Sequence, residues 1–407
     1  MLGTARVLRM DDCTIEAVGG IEHVDRNDWD ALANPGWTLG PRGAPSGGDD
    51  GHAFNPFLSH AFLSALEDAK CVGGRSGWFP RHCLVRDSSE RLIAAAPAYL
   101  KAHSQGEYVF DYGWADAYER AGGRYYPKLQ VSVPFTPAQG PRLLVGRGGA
   151  HQRLVLAHAL AALAEETDAS SVHVTFTNEA DFHALTSVGY LARHDTQFHW
   201  LNRGYDTPDD FLAALASRKR KQVKRERRDA LANGITIEWV TGADITEAHW
   251  DAFYEFYMDT GSRKWGRPYL NRTFFSLLGE RLADSVCLVF AVREGRYIAG
   301  ALNLIGSDTL FGRYWGCVED HPFLHFEVCY YQAIDFAISR GLARVEAGAQ
   351  GDHKLARGYE ATATRSAHFL RHPGLRAAVE DYLEGERRAV QRQNAVLNAH
   401  SPFKKDG

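Results

Sequence analysis

The chain has no C-x-x-C pair among its six cysteines (Cys13, Cys71, Cys83, Cys287, Cys317, Cys329), and no zinc ribbon is encoded. No basic, apolar leader precedes them, so a reducing cytoplasm is the expected setting. Long apolar runs are also missing. The longest, "LIAAAPAYL" at 92–100, falls far short of the roughly 20 residues that cross a bilayer, and its Pro97 suits an edge or bulged strand. The expectation is a chain that does not span a membrane. There is no G-x-S-x-G elbow, which speaks against a hydrolase of that type. His321, His325 and Glu327 invite a metal reading, but Pro322 disrupts the helical spacing that would put two imidazoles on one ion, so no metal is expected. Charge of one sign is scarce as well. A net charge of −4 excludes a globally basic nucleic-acid coat and leaves only local patches to consider.

What is present is aromatic and long enough for two or three domains. The 9 Trp, 17 Tyr and 21 Phe favour packed cores and aromatic-walled clefts over disorder. Residues 34–53, rich in Gly, Pro and Asp, read as a long mobile loop that can act as a lid. After it, "NPFLSHAFLSALEDA" has helical spacing with Asn55-Pro56 as its start. Strand-like runs follow, then a helix at 150–166, a strand at 171–176 and another at 197–202. The second half repeats the order: a strand at 235–240, helices near 246–259 and 271–283, three strands, a helix at 324–340, a strand at 343–348 and a last strand at 365–370. This predicts an α/β fold with two mixed sheets and an internal duplication of architecture. The expected domains are 1–202, a helical connector at 203–234, and 235–407 with its C-terminal helix.

The connector carries eight cations against one Glu within 218–228. Most of them, Arg218, Lys221, Lys224, Arg225 and Arg228 included, fall on one half of a helical cylinder. Phe211, Leu212, Leu215 and Val223 share the other half. A polyanion is the expected partner of that face, with pairing to acidic residues of the chain as the alternative. Farther on, "AGAQGDHKLARGY" crowds Gln350, Asp352, His353, Lys354 and Arg357 among three glycines just past a strand end, where α/β folds concentrate binding groups. On the preceding helix, Glu327, Tyr330, Tyr331 and Ile334 share a face, and "FGRYWG" adds Arg313, Tyr314 and Trp315.

The order "GRYWG", "FLHFEVCYYQAIDFAI", "EAGAQGDHKLARGY" and "SAHF", with "NPFLSHAFLSALE", "FDYGWADAY", "YYPKLQVSVPFTPAQGPRLL" and "TGSRKWGRPYLNRTFF" upstream, resembles the bacterial peptidoglycan biosynthesis/recognition family of predicted N-acyltransferases. That family is related to Fem-type aminoacyltransferases and, in fold, to the GNAT acetyltransferases. The resemblance covers about 55 to 370. It implies two GNAT-like domains in tandem and transfer of an acyl or aminoacyl group to an amine on a small molecule or peptide. The implied donor is acyl-CoA, an acyl carrier protein or aminoacyl-tRNA, with no tightly bound cofactor. A non-catalytic protein that binds a polyanion or cell-wall precursor through the basic helix is the alternative.

Two departures from the GNAT pattern bear on the donor. Where those enzymes cradle a pyrophosphate, the second half has Glu319 and Asp320, and the Gly146–Gly149 turn of the first half is a partial match only. Acyl transfer needs a base for the amine, a donor for the oxyanion and a proton for the leaving group. Glu327, His353 or Glu346 can serve as base, and Tyr330, Tyr331 or Tyr314 as acid. Arg313, Gln350, Lys354 and Arg357 suit substrate recognition beside Trp315. Lys128 and Gln130, with Asp111, Tyr112, Trp114 and Tyr126, are candidates for an acceptor cleft.

Overall fold

The computed structural model describes residues 8–10, 12–48, 51–264, 268–349 and 351–404, and the chain divides into two compact units. Unit 1 comprises Met1–Thr38, Gly47–Asp195 and Thr364–Gln391. Unit 2 comprises Leu39–Ser46, Thr196–Ala363 and Arg392–Gly407.

Unit 1 holds an antiparallel sheet of Leu8–Met10, Cys13–Val18, His82–Arg86 and Leu92–Ala96. A second sheet runs through Trp78–Pro80, Ala98–Lys101, Lys128–Val131 and Ser171–Val174. Alternation along these strands sends Leu129, Val131, Val172 and Val174 to one face, where they join Leu156, Leu160 and Leu163 of the helix Ala150–Glu166 in one core. The Gly146–Gly149 stretch starts this helix. Gly149 N–H is satisfied by the Gln152 side chain, and a Cβ at Gly148 would meet the Val145 carbonyl at 2.6 Å. These glycines serve a tight turn and a helix start.

Unit 2 is built on the antiparallel meander Thr236–Thr241, Val286–Arg293, Arg296–Ile305 and Thr309–Cys317, to which Arg344–Glu346 adds in parallel. Glu294 and Gly295 both have positive φ, the two-residue hairpin turn whose twist suits its strands. On one face the helix Glu247–Lys264 comes so close that a Cβ at Gly316 would overlap the Phe256 carbonyl oxygen. On the other face lies a helix that begins at Leu324–Phe326, widens to a π-turn at Glu327–Tyr331 and continues as Gln332–Ser339. Its Val328, Ala333, Ile334 and Ala337 share a core with Val289, Ala299, Leu310 and Val345.

The partition differs from a division at 202 and 235. The last strand of each sequence half completes a sheet made by the other half: Leu191–Leu201 ends against Arg344–Glu346 (Trp200 opposite Val345), and Glu360–Leu370 ends against Ser171–Val174 (His173 opposite His368). Residues 364–391 therefore belong to unit 1. Repeated element order reports how many strands each half supplies but not which neighbour closes its sheet. The 34–53 segment is not a featureless loop. It contains a turn at Pro41–Gly43, where Gly43 (φ +77°) sits so close that a Cβ would lie 2.6 Å from Leu282. Composition shows the glycines but not this close approach.

Candidate functional site

The loop after Arg344–Glu346 closes into a single turn, Asp352–Arg357, between Gly351 (φ +103°) and Gly358 (φ +93°). Both positions exclude a side chain. A Cβ on Gly351 would overlap the His353 ring, and one on Gly358 would sit 2.7 Å from the Phe211 ring. The bare backbone at 351 thus lets the imidazole fold over its own turn. His353 is exposed, and its Nε2 lies 3.1 Å from the hydroxyl of the buried Tyr330. Burial pushes the Tyr330 phenol well above its ordinary value, so it stays protonated and able to donate.

Two cations of the same turn point inward. Lys354 donates to the carbonyls of Ala347 (2.5 Å) and Gly348 (3.3 Å) and lies over the rings of Phe198 and Tyr330. Burial pushes its ammonium down to about 8. Arg357 donates to the His353 carbonyl at 2.6 Å, stacks 3.4 Å above Phe326 and pairs with Glu226 at 2.9 Å. The same Glu226 oxygen accepts from Tyr331 at 2.5 Å. Glu226 comes from the helix Ser217–Ala230, so the basic helix holds the turn that carries His353. Its neighbour Arg227 does a parallel job, bonding Glu327 (2.9 Å) and Asp335 (2.6 Å).

A cleft of about 390 Å³ opens beside this turn, at the end of Thr309–Cys317 and the start of the following helix. Trp315, Phe323, His325 and Phe326 wall it, Glu319 and Asp320 supply its carboxylates, and among the described residues neither Lys nor Arg lines it. Its wall is shared with the His353 pair: His325 packs on Trp315 (5.1 Å), Tyr330 (5.3 Å) and His353 (6.4 Å), and Phe326 on His353 (5.3 Å). Phe323 has φ +63°, an unusual backbone for a bulky residue. The π-turn that follows offsets the helix under Tyr330 and Tyr331, a distortion common at functional sites.

The family model for FemAB-like proteins, described as peptidoglycan biosynthesis/recognition, matches residues 20–405. The chain belongs to the FemAB-like family. Its fold is similar to that in the crystal structure of FemX, with 11% identity and a TM-score of 0.53 over 88% of this chain and 99% of that one. Also similar are L-PGS from Bacillus licheniformis (11% identity, TM-score 0.48, covering 81% and 98%) and a tandem GNAT protein from the clavulanic acid biosynthesis pathway (13%, 0.43, covering 89% and 99%). No curated protein matches the chain. The mixed α/β fold expected from the sequence is the fold of this family.

Within this FemAB-like chain, Tyr330, Tyr331, His353, Lys354 and Arg357 come together, and Trp315 lies on the adjoining cleft. Glu327 faces elsewhere. It is fully buried, with its carboxylate engaged by Arg227 and Gln332, and burial raises its pKa. Tyr314 packs on Tyr257, and Arg313 lies over the Tyr314 ring. The ladder skips Arg313, pairing Leu302 with Tyr314 and Asn303 with Gly312. That bulge breaks the alternation that would put Arg313 beside Trp315. Glu346 is buried opposite His199. Gln350 lies outside the described residues. Lys128 and Gln130 belong to unit 1, where Lys128 bonds Asp111 (2.6 Å) and Glu107 (2.8 Å) and Gln130 bonds Thr175. Arg218, Lys221, Lys224, Arg225 and Arg228 are exposed, and Arg228 pairs with Asp229. Sequence reasoning weighed His325 only as a metal ligand and missed Glu226 and Phe326. A lone Glu amid eight cations was the available signal for Glu226, and the aromatic run "FLHF" for His325 and Phe326.

Among the described residues, no helix is long and apolar enough to cross a membrane.

Proposed function

We propose that this chain transfers an acyl or aminoacyl group from an activated, phosphate-bearing donor to an amine, using the unit 2 cleft. The observation that carries this reading is the hydrogen bond between exposed His353 and buried Tyr330 at the wall of an aromatic cleft. With Nε2–H donating to the phenol oxygen, His353 is assigned as the base that takes the proton of the attacking amine. The Tyr330 O–H is then available to the departing oxygen or sulfur. The amine nitrogen bonds to the acyl carbon, the ester or thioester bond breaks, and one proton passes to each side. The Lys354 ammonium adds positive charge near the developing oxyanion. The family and the FemX-like fold support a transferase. The donor is proposed from the exposed cations Arg218, Lys221, Lys224 and Arg225, for which aminoacyl-tRNA, acyl-CoA and an acyl carrier protein all supply phosphate.

The test is turnover, followed by mass spectrometry of an amine panel with each donor class. His353→Ala and Tyr330→Phe should each lower kcat by about 10²-fold. Wild-type turnover that both variants retain would remove the pair from the chemistry. A wild-type chain that binds the donors and turns over none would favour the binding-protein reading.

A further inference from the structure

We propose that the unit 2 cleft selects an acceptor with a second amine, held as its ammonium ion, of the α,ω-diamine class. The inference rests on the amine-acceptor reading above and names the acceptor.

The charges of the cleft point this way. Its lining includes two carboxylates, Glu319 and Asp320, and no Lys or Arg among the described residues. The two carboxylates are not equivalent. Glu319 is held by Arg293 (2.8 Å), Arg296 (3.6 Å) and His321 (3.0 Å), so its charge is largely answered from behind. Asp320 is exposed and makes no ion pair among the described residues. An ammonium entering here would meet Asp320 and the faces of Trp315, Phe323 and Phe326. A further polar group waits inside: the Thr260 hydroxyl oxygen lines the cleft, is shielded from solvent and has no hydrogen-bond partner among the described residues. A ligand N–H would satisfy it.

The reacting amine itself cannot be the group that Asp320 holds. A carboxylate beside an amine favours the protonated form, which has no lone pair to attack with. The cation must therefore be a second group on the same molecule, with the reacting amine at the His353 end of the shared wall. His325 and Phe326 touch both regions, so one short alkyl chain along these rings connects them. A flexible aliphatic linker between two nitrogens fits that aromatic path.

The experiment is calorimetric titration of the full chain with 1,5-diaminopentane, 1-aminopentane and pyrophosphate, without any acyl donor. The diamine should bind at least about fivefold tighter than the monoamine, the range of an exposed ion pair with an added ring contact. Pyrophosphate should not compete with it. Asp320→Asn should abolish the preference, and Trp315→Ala should weaken both amines. Equal affinity for the two amines, or a preference that survives Asp320→Asn, overturns the inference. Because no transfer is measured, the two readings fail separately. A diamine preference without turnover would sink acyl transfer alone, and turnover without the preference would sink the diamine alone.

Discussion

Both units bury charge, but they do so to different ends. In unit 1, Tyr99, Gln130, His173 and His368 stand opposite one another on four adjacent strands, and Lys101, Lys128, Glu107 and Asp111 crowd beside them. All eight are at most 3% exposed. In unit 2 three buried charges, Glu226, Arg357 and Lys354, sit beneath an exposed histidine beside an open cleft. The first network is sealed and the second is wired to the surface. Buried charge by itself is thus a poor guide to chemistry, and access is what separates the two.

The strongest way to break this comparison is Lys128→Met. Burial opposes the Lys128 charge, but Asp111 and Glu107 more than offset it and hold the ammonium above its ordinary value. Removing it leaves the buried Asp111 carboxylate without a lysine and Glu107 with Lys101 alone, at 3.6 Å. The loss should be about 3–5 kcal/mol, read by urea denaturation. A loss under about 1 kcal/mol would mean that water or a ligand reaches those carboxylates, and the sealed reading would fall.

Alkaline pH sharpens the contrast, because Lys354 shifts the other way. Its folded value, about 8, lies below that of an unfolded lysine, about 10.4. Below pH 8 both states carry the proton, and the folded state bears the full cost of burying it. As pH rises from 8 towards 10.4 the folded group is neutral while the unfolded one still binds its proton, so stability rises. The rise attributable to Lys354 should be on the order of 2–3 kcal/mol and should vanish in Lys354→Met. Lys101, pushed down to about 7, contributes a similar trend in both proteins and cancels in the difference. Lys128 keeps its contribution across this window and loses it only at higher pH. If the ammonium of Lys354 stabilises an oxyanion, turnover falls through the window in which stability climbs. A parallel rise of both would exclude that role.

Much of this was legible in the sequence. The three glycines around 348–358 marked a polar loop past a strand end, and the structure gives their reasons at Gly351 and Gly358. The amphipathic basic helix was readable from its charges, as was the helix bearing Tyr330. Strand exchange was not, because pairing between distant strands leaves no local periodicity. Nor was the fate of Glu327. Sharing a helical face with Tyr330 and Tyr331 does not predict that its carboxylate is engaged by Arg227 and Gln332. The missed Glu226 shows the same limit, since a single acid in a cationic run reads as a solvated charge until its partner, Arg357, is placed.

The smallest expected effect on stability concerns the outer face of that helix. Its inner residues, Val223, Glu226 and Ala230, are buried, and Arg227 is bound to Glu327 and Asp335. Thus one side is already committed to the fold. Arg218, Lys221 and Arg225 are exposed and make no ion pairs among the described residues, so replacing all three by Gln breaks no salt bridge of the folded chain. Stability should change by less than about 0.5 kcal/mol. Binding of a tRNA mixture should respond quite differently. Every phosphate that the helix ceases to neutralise lowers the slope of log affinity against log salt by roughly 0.7–0.9, so the triple variant should flatten it by about 2–3. Wild-type binding that is insensitive to salt, or an unchanged slope in the variant, would leave this face without a polyanion. Its cations would then be only the solvated side of a helix whose work is done by Glu226 and Arg227.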